Sequence, residues 1–187
     1  GCQPACVGCI PGSHLIFGGE EWWWYGTPIR PGDKLFQKRR FDGYSVAETK
    51  FAVPAVTVLL KKQEHKEGSA ASQGMIEAID SSPAGSVYVL VLEDGLNYGA
   101  VGGLMATTMK VRGFAGAIVD ASIRDLPQIQ RIQFPIYSRG VSPGTTVGHY
   151  RSVGVNIPVT CAGVTVRPKD IITADEDGVV VVPFETA

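Results

Sequence analysis

The chain has 187 residues, of which 44% are hydrophobic and 19% charged, with a formal net charge of -1 at pH 7. A balance so close to neutral excludes the basic footprint of a nucleic-acid or anionic-membrane binder. No apolar run approaches the roughly 18 residues of a membrane helix, and no basic-then-apolar leader opens the sequence; the expectation is a cytoplasmic protein with one core.

Residues 1–50 form an atypical N-terminal segment of uncertain structure. They mix Gly and Pro with the run Trp22-Trp23-Trp24-Tyr25 and the basic cluster Lys38-Arg39-Arg40, without a period of 2 or 3.6. The aromatic run fits a contact surface on a neighbouring subunit, or simply an unusual stretch. Cys2, Cys6 and Cys9 have the C-x3-C-x2-C spacing of an iron–sulfur loop, and with His14 they number four zinc ligands. A cluster enzyme needs a large barrel around such a loop, which the downstream sequence does not supply, so no metal is assigned there. Cys161, alone in an apolar run, is expected to be a buried small hydrophobe.

A regular domain is expected over 51–187. Phe51–Leu60 predicts a strand, with Pro54 pointing to an edge or a bulge, and Lys61–Gly68 a charged loop. Ser69–Asp80 predicts a helix with Met75, Ile76 and Ile79 on its apolar face, stopped at Ser81-Ser82-Pro83. Ser86–Leu92 is a nearly continuous apolar run, so a strand buried on both faces is predicted, closed by Glu93-Asp94-Gly95. Leu104–Arg112 predicts a helix capped by Gly113, Gly116–Asp120 a short buried strand, Leu126–Ile132 a helical turn and Pro135–Ser138 another strand. Short strands follow at Val155–Thr160, Gly163–Val166, Ile171–Ala174 and Gly178–Val182, with Asp175, Glu176 and Asp177 in a solvated turn. An alternating β/α first part followed by a β-rich end predicts a mixed α/β sandwich rather than a doubly wound sheet.

The chemistry is concentrated between Gly99 and Asp125. A glycine loop entering a helix offers free N–H groups and a positive dipole end to an anion. Arg124, just past the next strand, can grip a carboxylate in a bidentate fork, and Asp125 is a hard oxygen ligand suited to Mg²⁺ or Mn²⁺. The glycines match neither a Walker loop nor G-x-G-x-x-G, which argues against a nucleotide. Met105 and Met109 are expected in the core, Asp120 either orients Arg124 or caps the next turn, and His14, His65 and His149 lie in loop-like sequence. No lysine suggests a Schiff base, and no Ser-His-Asp or Cys-His arrangement is apparent.

The order GG-LMA, RG, GAIVD, RD, then PIYSRG, then GVTV, P, DII and ADEDGVVVVP resembles the RraA-like proteins from Phe51 to Pro183. That family includes divalent-metal-dependent 4-hydroxy-4-methyl-2-oxoglutarate/4-carboxy-4-hydroxy-2-oxoadipate aldolases and RraA regulators that bind and inhibit a ribonuclease. The resemblance implies a three-layer β/β/α swivelling domain assembled as a homotrimer or hexamer, with sites at subunit interfaces. It implies that Arg124 binds the substrate carboxylate, that Asp125 anchors Mg²⁺ or Mn²⁺ with water completing the shell, and that the amides of Gly102, Gly103, Leu104 and Met105 line the pyruvate site. The implied activity is that of a class II pyruvate aldolase, by retro-aldol cleavage, or an oxaloacetate decarboxylase. Its substrate is a small 2-oxo dicarboxylic acid; the alternative is a non-catalytic regulator that binds another protein. The chain departs from the family at Gly103, where the aldolases usually carry an acid, and it stops before their usual C-terminal extension. Glu93 or Asp94 is the expected compensation for the missing acid.

Overall fold

A computed structural model describes residues 50–175 and 178–187, together with the backbone of three short antiparallel strands before them, β1 (Ile16–Gly18), β2 (Glu21–Trp24) and β3 (Thr27–Ile29). The candidate ligands Cys2, Cys6, Cys9 and His14 lie outside the described residues.

The domain follows as β4 (Phe51–Lys62), α1 (Gln73–Ser81), β5 (Val87–Leu92), β6 (Gly99–Val101), α2 (Gly103–Val111), β7 (Gly116–Ile123), α3 (Leu126–Arg131) and β8 (Ile136–Val141). The β-rich end supplies β9 (Tyr150–Val155), β10 (Val159–Cys161), β11 (Val164–Val166), β12 (Ile171–Asp175) and β13 (Gly178–Val182). One large sheet runs in the order β13-β12-β4-β5-β7-β6, with β8 also paired to β7 and β9 to β4. Its middle is parallel, β4 to β5 to β7 and β7 to both β6 and β8. Parallel neighbours need crossover connections, and α1, α2 and α3 lie in them.

The pleat divides the core into two. Val56, Val58 and Leu60 of β4, Tyr88 and Leu90 of β5 and Ala117, Val119 and Ile123 of β7 pack with Met75, Ile79, Met109 and Ile129 of the helices. Their alternates Val53, Val89 and Ile118 face the other way, onto Val159, Cys161 and Val166 of the β10–β11 hairpin and Ile172 and Val181 of β12 and β13. A helix layer, a sheet and a small second sheet result, the expected mixed α/β sandwich. Every residue of β5 and β7 is buried, which is why β5 is apolar throughout and β7 apolar but for Asp120 and Ser122. Gly113 closes α2 at φ +81°, a left-handed position that glycine adopts without strain.

One local expectation is met and three are corrected. Pro54 lies at a local edge: β4 pairs there only with β12, opposite Ile171, and pairing to β5 begins at Ala55, while the irregularity of β4 falls at Leu59/Leu60. There the missing N–H breaks no bond to β5. The predicted strand over 155–160 is instead the end of β9, a turn and the start of β10. The strand at 116–120 continues to Ile123, which carries Arg124 to the carboxyl end of the sheet. Ile76 is turned to solvent, whereas Met75 and Ile79 are buried.

Candidate functional site

Two parallel strands build the site. Gly99 of β6 stands opposite Ser122 and Val101 opposite Ile123 of β7, so both strands end at the same level. The chain leaving β6 passes through Gly102 into α2, and the chain leaving β7 passes through Arg124 and Asp125 into α3. The turns therefore lie side by side beyond the carboxyl ends of their strands, where open α/β sheets commonly bind ligands.

The contacts between the turns are specific. Arg124 N–H donates to the Val101 carbonyl at 2.9 Å, and its Nη1 donates to the Gly99 carbonyl at 2.6 Å. Asp125 adopts a left-handed conformation, φ +59°, one that aspartate tolerates better than most residues. Its carbonyl accepts the Gln128 and Ile129 N–H groups and starts α3. Its carboxylate turns back to α2, where Oδ2 accepts the Gly103 N–H at 2.9 Å and lies 3.9 Å from Arg124 Nε. The Arg124 side chain is 34% exposed and that of Asp125 53%, so both are open to an incoming ligand. At such exposure their mutual attraction stabilises the fold little.

The glycines are required by approach distance. A Cβ on Gly102 would lie 2.8 Å from Asp125 Oδ2 and 2.9 Å from Arg124 Nε; one on Gly99 would lie 2.9 Å from Arg124 Cβ. Any side chain at either position would displace the arginine or the carboxylate. The amides of Leu104 and Met105 belong to the first turn of α2, beyond reach of the helix's own carbonyls. The Leu104 side chain is exposed, Met105 packs at the edge of the core and Met109 lies within it.

Gln128 was not anticipated. A Cβ at Gly103 would fall 2.8 Å from Gln128 Cγ, so α3 fills the space that an acidic side chain at 103 would enter. Also missed was the segment after β8: the Gly144 carbonyl accepts the Gly99 N–H at 2.9 Å, and Ser142 Oγ donates to the Asn97 carbonyl at 2.7 Å. The Ser-Pro-Gly at 142–144 was the available signal.

Asp120 neither orients Arg124 nor caps the turn that follows β7; it holds the distant β10–β11 turn. It points to the opposite face of the sheet, forms an ion pair with Arg139 Nε and accepts the Ala162 N–H at 2.6 Å. Glu93 and Asp94 do not join the glycine loop either; they line a separate cavity with Asp120 and Arg139. His149 Nδ1 lies 2.9 Å from Glu64 Oε1, with its ring against Tyr98, the residue before Gly99. His65 Nε2 is 3.0 Å from the Tyr150 carbonyl.

Among the described residues no three His, Cys, Asp or Glu side chains gather into a metal cage. Asp125 offers one carboxylate, whose second oxygen, Oδ1, has no partner among the described residues. Mg²⁺ is commonly held by one or two carboxylates with water and substrate oxygens, so this donor set fits a hydrated Mg²⁺ or Mn²⁺ rather than a structural ion. The fold and site thus define a mixed α/β domain in which a glycine loop at a helix N-terminus, one arginine and one carboxylate converge. The family model described as RraA-like, Aldolase/RraA, matches residues 32–181, and the chain belongs to that family.

A protein of Halalkalibacterium halodurans named "Putative 4-hydroxy-4-methyl-2-oxoglutarate aldolase" is 33% identical over 112 residues, 58% of this chain and 51% of the relative. The chain thus spans about half of that relative's length. The crystal structure of Streptomyces coelicolor RraAS2, described as an unusual member of the RNase ES inhibitor RraA family, matches with a TM-score of 0.65 and 28% identity, covering 74% of this chain and 67% of that one. A structure described as novel cellulases from microbes of the gut ecosystem matches with a TM-score of 0.69 and 27% identity, covering 75% and 63%. No helix among the described residues is long and apolar enough to cross a membrane.

Proposed function

We propose that the chain is a divalent-metal-dependent lyase that releases pyruvate from a small 2-oxo dicarboxylic acid, such as 4-hydroxy-4-methyl-2-oxoglutarate or oxaloacetate. The observation that carries this reading is the convergence of Arg124 and Asp125 on Gly102 at the N-terminus of α2. Arg124 is held by Nη1 on the Gly99 carbonyl, which leaves Nη2 and Nε to take a substrate carboxylate. The Leu104 and Met105 amides and the positive end of α2 favour negative charge at the same spot. Asp125 would hold Mg²⁺ or Mn²⁺, which when bound supplies Lewis acidity toward a 2-oxo group. Orientation is the chain's own contribution: Arg124 fixes one end of the acid, and Gly102 lets its reacting end approach the carboxylate. The trimeric or hexameric assembly belongs to this reading and is measurable by analytical ultracentrifugation.

The binding-protein alternative is favoured by one observation, Gln128 standing where an acid at residue 103 would project. A pyruvate-release assay separates the two. Oxaloacetate and 4-hydroxy-4-methyl-2-oxoglutarate are each supplied with Mg²⁺ or Mn²⁺, and again with EDTA. Pyruvate formation that EDTA abolishes supports the lyase. Formation that EDTA leaves untouched contradicts the metal assignment, and no turnover of either acid favours the regulator.

A further inference from the structure

On the sheet face opposite the helices, at the carboxyl end of β5 and beside Asp120 of β7 and Arg139 of β8, lies a cavity of about 550 Å³. Glu93, Asp94, Leu96, Asn97, Asp120 and Arg139 line it, and Arg124, Asp125 and the α2 glycines do not. Asp120 is over nine-tenths buried, and both its oxygens are engaged, Oδ2 by the Ala162 N–H and Oδ1 by Arg139 Nε. That contact uses one edge of the guanidinium. The Nη1/Nη2 edge has no partner among the described residues, and the Arg139 side chain is 39% exposed. Glu93 and Asp94 are exposed at the rim, and their carboxylates likewise have no partner among the described residues.

We propose that this cavity is a second ligand site, for a small amino-acid zwitterion with a basic aliphatic side chain. Charge selects the class. Asp120 and Arg139 cancel, leaving the two carboxylates of Glu93 and Asp94, so a dicarboxylate meets repulsion and the 2-oxo diacids of the glycine-loop site are disfavoured here. An amine lacking a carboxylate meets the open Arg139 edge without satisfying it. A zwitterion places its carboxylate on that edge, in the end-on geometry a guanidinium fork favours, and its ammonium groups beside Glu93 and Asp94. The exposed Leu96 side chain gives the intervening methylenes an apolar wall.

The test is an amide NMR titration of the full chain with L-lysine, with n-butylamine and pentanoate as half-ligands. Saturable shifts at Gly95, Leu96 and Asn97 are expected, with affinity at least about tenfold weaker for either half-ligand. Arg139→Gln should abolish binding, Glu93→Gln with Asp94→Asn should weaken it about tenfold, and Arg124→Ala should leave it unchanged. If Arg139→Gln fails to fold, the double rim variant decides, because both rim residues are exposed. Absent saturation, n-butylamine binding as tightly as L-lysine, or an unchanged affinity in the rim variant overturns the proposal. Loss of binding in Arg124→Ala also overturns it, by moving the ligand to the glycine loop. The lyase reading does not depend on any of these outcomes.

Discussion

The Gly103 backbone N–H donates to Asp125 Oδ2 across 2.9 Å, joining two turns 22 residues apart. One carboxylate oxygen thus satisfies the first N–H of α2, while the other has no partner among the described residues. The same contact holds Asp125 beside Arg124, so the spacing of the two groups depends on what residue 102 leaves empty. Gly102→Ala should push the Arg124 guanidinium and the Asp125 carboxylate apart, since its Cβ would lie under 3 Å from both. Pyruvate affinity should fall about tenfold or more while unfolding free energy changes by only about 1–2 kcal/mol. Pyruvate titration alongside urea denaturation checks both.

An acid at residue 103 has to displace Gln128. Gly103→Asp alone should destabilise the fold by about 1–3 kcal/mol through overpacking. Combined with Gln128→Ala, more than half of that should return, a coupling that a double-mutant cycle in urea measures directly. Additive effects would mean that Gln128 is not the obstacle.

Asp120→Ala removes an acceptor from the Ala162 N–H and the partner of Arg139. The buried amide and the stranded guanidinium together predict a loss of about 2–3 kcal/mol, readable as a lower urea midpoint with an unchanged slope. A variant as stable as the parent would show that the β10–β11 turn is held by other contacts.

Burial pushes the Cys161 thiol well above its ordinary range, the nearby Asp120 charge adding to the effect. Its thiolate should therefore be negligible in the native protein at pH 8, because a raised pKa keeps the proton on. Iodoacetamide followed by peptide mass spectrometry should find Cys161 unmodified in the native state and modified in urea.

The glycine loop, Arg124 and Asp125 were legible because each lies within a residue or two of a strand or helix end, where local sequence sets the position. The strands β5 and β7 were legible as apolar runs for the same reason. The Asp120–Arg139 pair was not: its members sit on adjacent strands, and their shared face follows from a β7–β8 register that local sequence does not encode. β9 escaped because Arg151, Ser152 and Gly154 break its apolar pattern; the strand forms through pairing to β4, with Gly154 leaving room for Ile157. Gln128 escaped because its meaning is steric and appears only once α3 lies against α2.

Joint binding of a 2-oxo acid and a divalent cation by Arg124 and Asp125 is the core of the proposed function. Its most direct test is Mn²⁺ affinity, followed by electron paramagnetic resonance with and without pyruvate, in the parent chain and in Asp125→Asn. Asparagine suits the comparison because it tolerates the left-handed backbone at 125. Mn²⁺ affinity should rise with pyruvate in the parent chain and fall at least about tenfold in Asp125→Asn. Equal Mn²⁺ affinity in the variant and the parent would contradict joint binding.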